Sequence, residues 1–416
     1  MKKFEELGLS RELSDILKSE GIENPTEIQE KAIPLALKGK DIVGASATGS
    51  GKTLAFSSPI IEHLKHEKNV QALVLTPTRE LAEQVSGLIH KFSNRKGINV
   101  VSVYGGVSIE NQIRKLGSAD VVVGTPGRIL DHMQRGSLRL NKIKILVLDE
   151  VDRMFDMGFH KDVEKIIKEC PKERQTMLFS ATISSEMDYL ARKYTRDATS
   201  VSVKVYHDST KLKQVYYDID ARDKFSLLVH LLKKENADLV MVFCSTRRNV
   251  DFVANNLKLS GINAKAIHGG MEQSKRIRTL NEFHGKGVGV LVCTDVAARG
   301  LDIKGVSHIY NYDLPKTSVE YIHRIGRTAR AKSDGIVINL LCGRDYENFS
   351  NILSDRKIQI KNEEAPKFRR VYVRLPERRP RQGNFRGVGK NFGRRNTSRP
   401  PRHGNRKRMG RNFNRR

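Results

Sequence analysis

Short apolar, β-branched runs recur along the chain and alternate with amphipathic stretches of helical length. The runs at 41–44, 72–76, 100–104, 120–124, 144–149 and 176–179 read as strands. So do those at 239–244, 265–268, 289–294, 308–311 and 336–340, with helix-length segments such as 79–92 and 247–259 between them. The strands are apolar throughout rather than alternating, and helices separate them. Both features predict an α/β fold with parallel sheets covered on both faces. The rhythm pauses near 198–213. This predicts one α/β domain over 1–205, a linker at 206–211 and a second α/β domain over 212–364. The similar rhythm of the halves is compatible with two copies of one fold, which spacing alone does not establish.

Beyond residue 364 the pattern stops. Residues 365–416 hold 16 Arg, 3 Lys and a single acid, Glu377, among Asn, Gly and Pro, with Phe385, Phe392 and Phe413 scattered between. Such a composition buries too little apolar surface to offset the entropy of ordering, so a disordered tail is expected. It carries +18 of the chain's formal +28. Charge so concentrated points to a polyanion: Arg for phosphates, spaced Phe for stacking on bases. A membrane surface or a protein partner is the lesser alternative. The longest apolar run, 239–244, is far short of a membrane span, and residues 1–7 lack the apolar stretch of a secretory signal. Cys170, Cys244, Cys293 and Cys342 show no metal-ligand spacing. They read as buried thiols of a reducing compartment, and the cytoplasm is the expected location.

The sharpest local motif is Thr48-Gly49-Ser50-Gly51-Lys52-Thr53, between the 41–44 strand and a helix-like segment. Glycines there let backbone N–H groups converge on phosphate oxygens, and the following helix points its positive end at the anion. Lys52 would reach the β and γ phosphates and Thr53 would hold Mg²⁺. Ser46 stands where such loops usually begin with Gly, a compact substitute. The strand at 144–149 runs into Asp149-Glu150-Val151-Asp152. Asp149 could hold Mg²⁺ and Glu150 could polarise an attacking water. Downstream, Arg324, Arg327 and Arg330 would share one helical face and need a compensating anion. A γ-phosphate suits Arg327 and Arg330. An ATP touching Lys52, Glu150 and these arginines would lie in a cleft between the domains, complete only on closure.

These motifs and their order resemble the DEAD-box ATP-dependent RNA helicases of superfamily 2 over about residues 4–345. Phe4 and Pro25-Thr26-Glu27-Ile28-Gln29 are similar to the family's adenine-reading motif. Then come Pro77-Thr78-Arg79-Glu80-Leu81-Ala82, Gly105-Gly106, Thr125-Pro126-Gly127-Arg128, Asp149 to Asp152 and Ser180-Ala181-Thr182. The second half adds His268-Gly269-Gly270, Gln273 with Arg276, the stretch 294–302 and His323 to Arg330. The resemblance implies two tandem RecA-like domains. It implies that Gln29 bonds the adenine edge, Phe4 packs on the ring, Asp302 meets the ribose and Arg299 helps position the water. Ser180, Thr182, Asp152 and His323 would couple hydrolysis to RNA. Arg79, Gly106, Thr125, Arg128, Gly269, Arg276 and Thr294 would hold RNA phosphates and sugars, with little sequence preference. Single-stranded and duplex RNA are the implied partners and unwinding would be local.

Two departures stand out. Val151 replaces the family's Ala, giving DEVD, and Ala329 replaces its usual Gly. Asp149, Glu150 and Asp152 are retained, so activity is expected, with altered packing against 180–182 as the open question. An ATP-gated RNA clamp or annealer fits the same motifs, and a DNA-translocating motor fits them less well. A monomer is expected.

Overall fold

The computed structural model describes residues 3–46, 49–181, 185–203, 212–235, 237, 239–285, 287–298, 305–328 and 335–374. The expected linker at 206–211 and the tail beyond 374 lie outside them.

Two seven-stranded sheets organise the chain. The first contains β1 (Ile42–Ala45), β2 (Ala72–Leu75), β3 (Val100–Val103), β4 (Val121–Gly124), β5 (Ile145–Asp149), β6 (Gln175–Ser180) and β7 (Thr199–Ser202). The second contains β8 (Leu212–Asp218), β9 (Val240–Phe243), β10 (Ala264–Ile267), β11 (Val290–Cys293), β12 (His308–Asn311), β13 (Gly335–Leu341) and β14 (Lys361–Asn362). The order is β3-β4-β2-β5-β6-β1-β7 in one and β10-β11-β9-β12-β13-β8-β14 in the other. Counted from its own first strand, each lobe has the same order, and every pair is parallel. The two halves are therefore copies of one α/β fold.

The uniformly apolar strands have the reason that their sequence implied. Successive residues face opposite sides, and both sides are covered. Along β4, Val121 and Val123 enter one apolar layer and Val122 the other. The second sheet is likewise sandwiched, with Met241 and Phe243 of β9 on one side and Val240 and Val242 on the other. All four cysteines are buried and free.

Two strands fall where the rhythm pauses. β7 (Thr-Ser-Val-Ser) buries only Val201 fully, and β8 alternates more than its neighbours. β7 is an edge strand and β8 is flanked on one side only by the two-residue β14, so both carry less apolar signal than the central strands, and the pattern there looks broken. A second difference lies at the C-terminal boundary. Residues 365–374, expected within the disordered tail, are placed, and Phe368, Val371 and Val373 pack against the second lobe.

β1 carries the phosphate-loop motif, and its position is set sterically. A Cβ on Gly44 would lie 2.4 Å from the ring of Phe179 on the neighbouring β6. Gly44→Ala should therefore destabilise the first lobe by about 1–3 kcal/mol. Denaturant unfolding checks this. Adding Phe179→Leu should recover part of the loss, and no recovery would refute ring contact as its cause.

Candidate active site

In each lobe the chemistry gathers at the carboxyl ends of the strands, as parallel sheets require. β1 ends beside Ser46. Gly49 and Gly51 take left-handed backbone angles, φ +79° and +98°, and Gly51 caps the Lys52–His63 helix. Thr53 is half-buried in the first turn of that helix. The Lys52 ammonium is buried and donates to the Ser46 carbonyl at 2.8 Å and the Ser180 carbonyl at 3.3 Å. It thus bridges the ends of β1 and β6. The Ser46 hydroxyl lies 2.8 Å from that of Ser50, so the substitute for Gly ties the loop to itself. Thr48 lies outside the described residues.

The Glu27–Leu37 helix is joined to this loop. Gln29 Oε1 accepts from the Thr26 N–H at 2.9 Å, closing a capping box, and Gln29 Nε2 donates to the Gly51 carbonyl at 3.0 Å. Thr26 Oγ1 donates to the Ser50 carbonyl at 2.7 Å. Both ends of the Gln29 amide are engaged within the protein. Phe4 is 3% exposed in the first lobe's apolar layer, leaving little of its ring open to a base.

β5 delivers the acidic motif. Asp149 Oδ1 accepts from the Glu150 N–H at 3.0 Å. Glu150 holds φ +55°, a strained angle for a residue with a Cβ, and starts the Val151–Asp156 helix. Val151 is fully buried among the apolar residues beneath, so its extra methyls occupy the core rather than the cleft. Burial pushes the Asp149 carboxyl up to about 7. Lys52 opposes the shift, and the Glu150 and Asp152 charges add to it. Glu150 Oε2, Asp152 Oδ2 and Ser180 Oγ are buried and have no partner among the described residues. Buried polar atoms are normally paired, so this cluster is built for groups that arrive from outside.

The second lobe brings His323 and Arg327 to a small cleft that also contains Arg153 of the acidic-motif helix. The shared helical face expected for three arginines is corrected here. The Ser318–Ile325 helix ends at Gly326, so Arg327 lies beyond it. Arg324 has its anion within the protein. Its guanidinium pairs with both oxygens of Asp295 at 2.6 and 2.7 Å, donates to Asn311 Oδ1 and the Asp313 carbonyl, and lies over Phe243. Arg324 is structural, and Arg327, itself buried, lines the same cleft. Arg299, Asp302, Arg330 and Thr182 lie outside the described residues, as does Ala329.

The residues expected on RNA form two groups. Arg79 and Arg128 flank Gly105-Gly106, and the Arg79 guanidinium lies against Gly106, whose φ of +86° favours glycine. Thr125 caps the Pro126–Gln134 helix beside them. Gly269 lies against Arg247, and Thr294 opens the Asp295–Ala298 helix. Arg276 reaches across the lobes to Glu80 at 2.9 Å, and Gln273 Nε2 donates to the same oxygen at 2.8 Å. Glu80 was not singled out from sequence. Its signal was an acid placed inside a motif of phosphate-binding type.

The family described as DEAD/DEAH box helicase matches residues 26–190, and the helicase conserved C-terminal domain matches 223–332. The DEAD-box ATP-dependent RNA helicase CshA of Geobacillus kaustophilus is 43% identical over 369 residues, covering 88% of this chain and 79% of that protein. The chain belongs to the DEAD-box ATP-dependent RNA helicases. CshA of Listeria monocytogenes is also 43% identical, over 88% of this chain and 71% of that one. Among solved structures, S. cerevisiae Dbp5 bound to RNA and ADP BeF3 has a TM-score of 0.79 at 33% identity, covering 88% of this chain and 96% of the other. A DEAD box protein from Methanococcus jannaschii has 0.53 at 40% identity, covering 87% and 99%.

As a DEAD-box helicase the chain uses ATP, and the buried acidic cluster fits an accompanying divalent cation. Among the described residues no three His, Cys, Asp or Glu side chains form a metal cage. Mg²⁺ needs none, since it usually takes one or two carboxylates and the substrate's phosphates. The raised Asp149 carboxyl has a stability consequence. Its folded value exceeds the unfolded one, so the ionisation-linked cost of burying it is absent below about pH 4 and grows up to about pH 7. Nucleotide-free Asp149→Asn should be more stable than the parent at pH 8, by about 1 kcal/mol or more, with the gap closing by pH 4. Urea unfolding at several pH values checks this; a pH-independent gap would refute it.

Proposed function

We propose that this DEAD-box helicase hydrolyses ATP between its lobes and uses lobe closure on RNA for local, poorly processive unwinding or remodelling. The observation that carries this is the unpartnered Glu150 Oε2 and Ser180 Oγ at the strand ends of one lobe, with Arg327 and His323 of the other lining a cleft beside the acidic-motif helix. The TM-score of 0.79 with the RNA-bound and ADP BeF3-bound yeast protein supports a two-lobe arrangement that can hold both ligands.

In this reading the Lys52 ammonium leaves the Ser46 and Ser180 carbonyls for the β and γ phosphates, a charge-assisted exchange of acceptors. The Gly49–Gly51 turn and the Lys52–His63 helix start supply backbone donors, joined by Thr48 and Ser50. Glu150 Oε2 takes a proton from the attacking water. Arg327 answers the charge on the transferred group, with Arg330, and Arg299 orients the water. Gln29 reads adenine with the second N–H and second lone pair of its engaged amide, Phe4 supplies only the small open part of its ring, and Asp302 meets the ribose. Thr53 and Asp149 would hold Mg²⁺, which neutralises phosphate charge when bound. Ser180, Thr182, Asp152 and His323 link this centre to Arg79, Gly106, Thr125, Arg128, Gly269, Arg276 and Thr294 on the RNA path. Those contacts are to backbone groups, so sequence is read weakly and 2′-hydroxyls favour RNA over DNA. The basic tail adds non-specific RNA affinity.

Parallel unwinding assays on RNA and DNA duplexes, with ATP turnover followed in each, test the proposal. RNA should stimulate turnover and be unwound. Stimulation without strand separation would favour a clamp, and equal stimulation by DNA would remove the RNA assignment. Glu150→Gln should cut turnover by about 10²-fold or more while retaining RNA binding with ATP. Normal turnover would exclude its role toward water.

A further inference from the structure

Beyond β14 the described chain has no regular secondary structure, yet it follows a defined path across the second lobe. Phe368, Val371 and Val373 pack against the apolar layer that contains Phe225 and Val253. Arg370 donates to both oxygens of Asp223 at 2.5 and 2.8 Å, and the Val371 N–H donates to Ser226 Oγ at 3.1 Å. Asn256 then brackets Arg374. Its Oδ1 accepts from the Arg374 N–H at 2.7 Å, and its Nδ2 donates to the Arg374 carbonyl at 3.2 Å. The Asn256 side chain is buried in the Arg247–Leu259 helix and also bonds the Phe252 carbonyl. A fixed amide that reads one residue's N–H and C=O sets both the place and the direction of that backbone. The Arg370 ion pair is largely exposed and contributes little by itself; the apolar side chains and Asn256 hold the segment.

The place where this path ends matters. The Arg247–Leu259 helix points its first turn toward the expected RNA face, where Arg247 lies against the Gly269-Gly270 turn. From Asn256 to Arg247 is nine residues, about 14 Å along a helix. About four or five extended residues span that distance. Arg378 and Arg379 stand four and five residues beyond Arg374.

We propose that residues 366–374 are a strap that roots the Arg-rich tail on the second lobe, within a few residues' reach of RNA held by that lobe. The tail then acts on the RNA of its own molecule from a fixed origin, rather than from the end of a loose tether starting at β14. This rests on the reading that the tail binds RNA. Releasing the strap adds nine flexible residues to the tether, so the tail's local concentration at the lobe falls.

Brief trypsin digestion of the full chain, with fragment masses, tests the strap. Cleavage should remove the tail while sparing the bonds after Lys367, Arg369 and Arg370. Asp223→Arg combined with Asn256→Ala, neither on the strap, should open those bonds; Phe368→Asp serves as a second release variant. RNA affinity of each chain and of its truncation after Leu375 is then compared by titration. The gain due to the tail should fall about threefold on release. Cleavage within 367–374 of the parent chain as fast as in the tail would overturn the strap. Protection with an unchanged tail-dependent gain after release would overturn its rooting role. If truncation after Leu375 leaves affinity unchanged while those bonds stay protected, the tail's RNA role fails and the rooting of an RNA-binding tail falls with it, whereas the docking of 366–374 stands.

Discussion

A parallel sheet covered on both faces offers its chemistry at one edge, where strand ends, helix starts and loops meet. The phosphate loop, the acidic motif and their counterparts in the second lobe follow from that constraint, applied twice. The Ser46 and Ser180 carbonyls, the Asp149 carboxyl and the Glu150 backbone all occur where strands of the first lobe stop. His268, Thr294 and Asp313 follow strand ends of the second lobe in the same way. Since the faces are filled by Val, Ile and Leu, a site can be altered there without disturbing the core. Val151 shows the reverse case, a residue inside the acidic motif whose side chain lies in the core.

Polar groups brought to such an edge are dehydrated before a ligand arrives. Asp149 loses solvation, with Lys52 as partial compensation, and its carboxyl holds its proton far above the usual range. Glu150 adds backbone strain, and Glu150 and Ser180 each keep a buried oxygen without a partner among the described residues. These features lower the stability of the lobe by itself. They are the expected form of a centre that is completed by groups from outside the lobe. Arg324 illustrates the opposite arrangement. A buried cation with two carboxylate oxygens, an amide, a carbonyl and an aromatic face has nothing left to offer a ligand, and it holds β12 to the helix that follows β11.

The lobes also meet through polar groups. Glu80 receives both Gln273 and Arg276, so one buried carboxylate of the first lobe organises two side chains of the second. Burial lowers the Arg276 guanidinium below its ordinary value, with Glu80 opposing that shift. An interface of this kind separates at modest cost, because water can replace each partner once the lobes part.

The primary structure alone determined the alternation of apolar strands and helices, the two-lobe plan, the phosphate-loop and acidic motifs, and the concentration of charge in the tail. Each is written in consecutive residues, through spacing, β-branching or local composition. Tertiary structure alone decided that both lobes share one strand order, that the polar stretch Thr199–Ser202 is an edge strand, and that the Arg324 guanidinium is satisfied within the second lobe. It decided that Gln29 braces the phosphate loop, that Glu80 links the lobes, and that residues 366–374 dock onto the second lobe. Those outcomes depend on partners far away in the chain. Nothing in the letters around Arg324 marks it as structural; the position of Asp295, 29 residues earlier, does. Local sequence specifies which groups are available; the packing of distant segments specifies which of them are already taken.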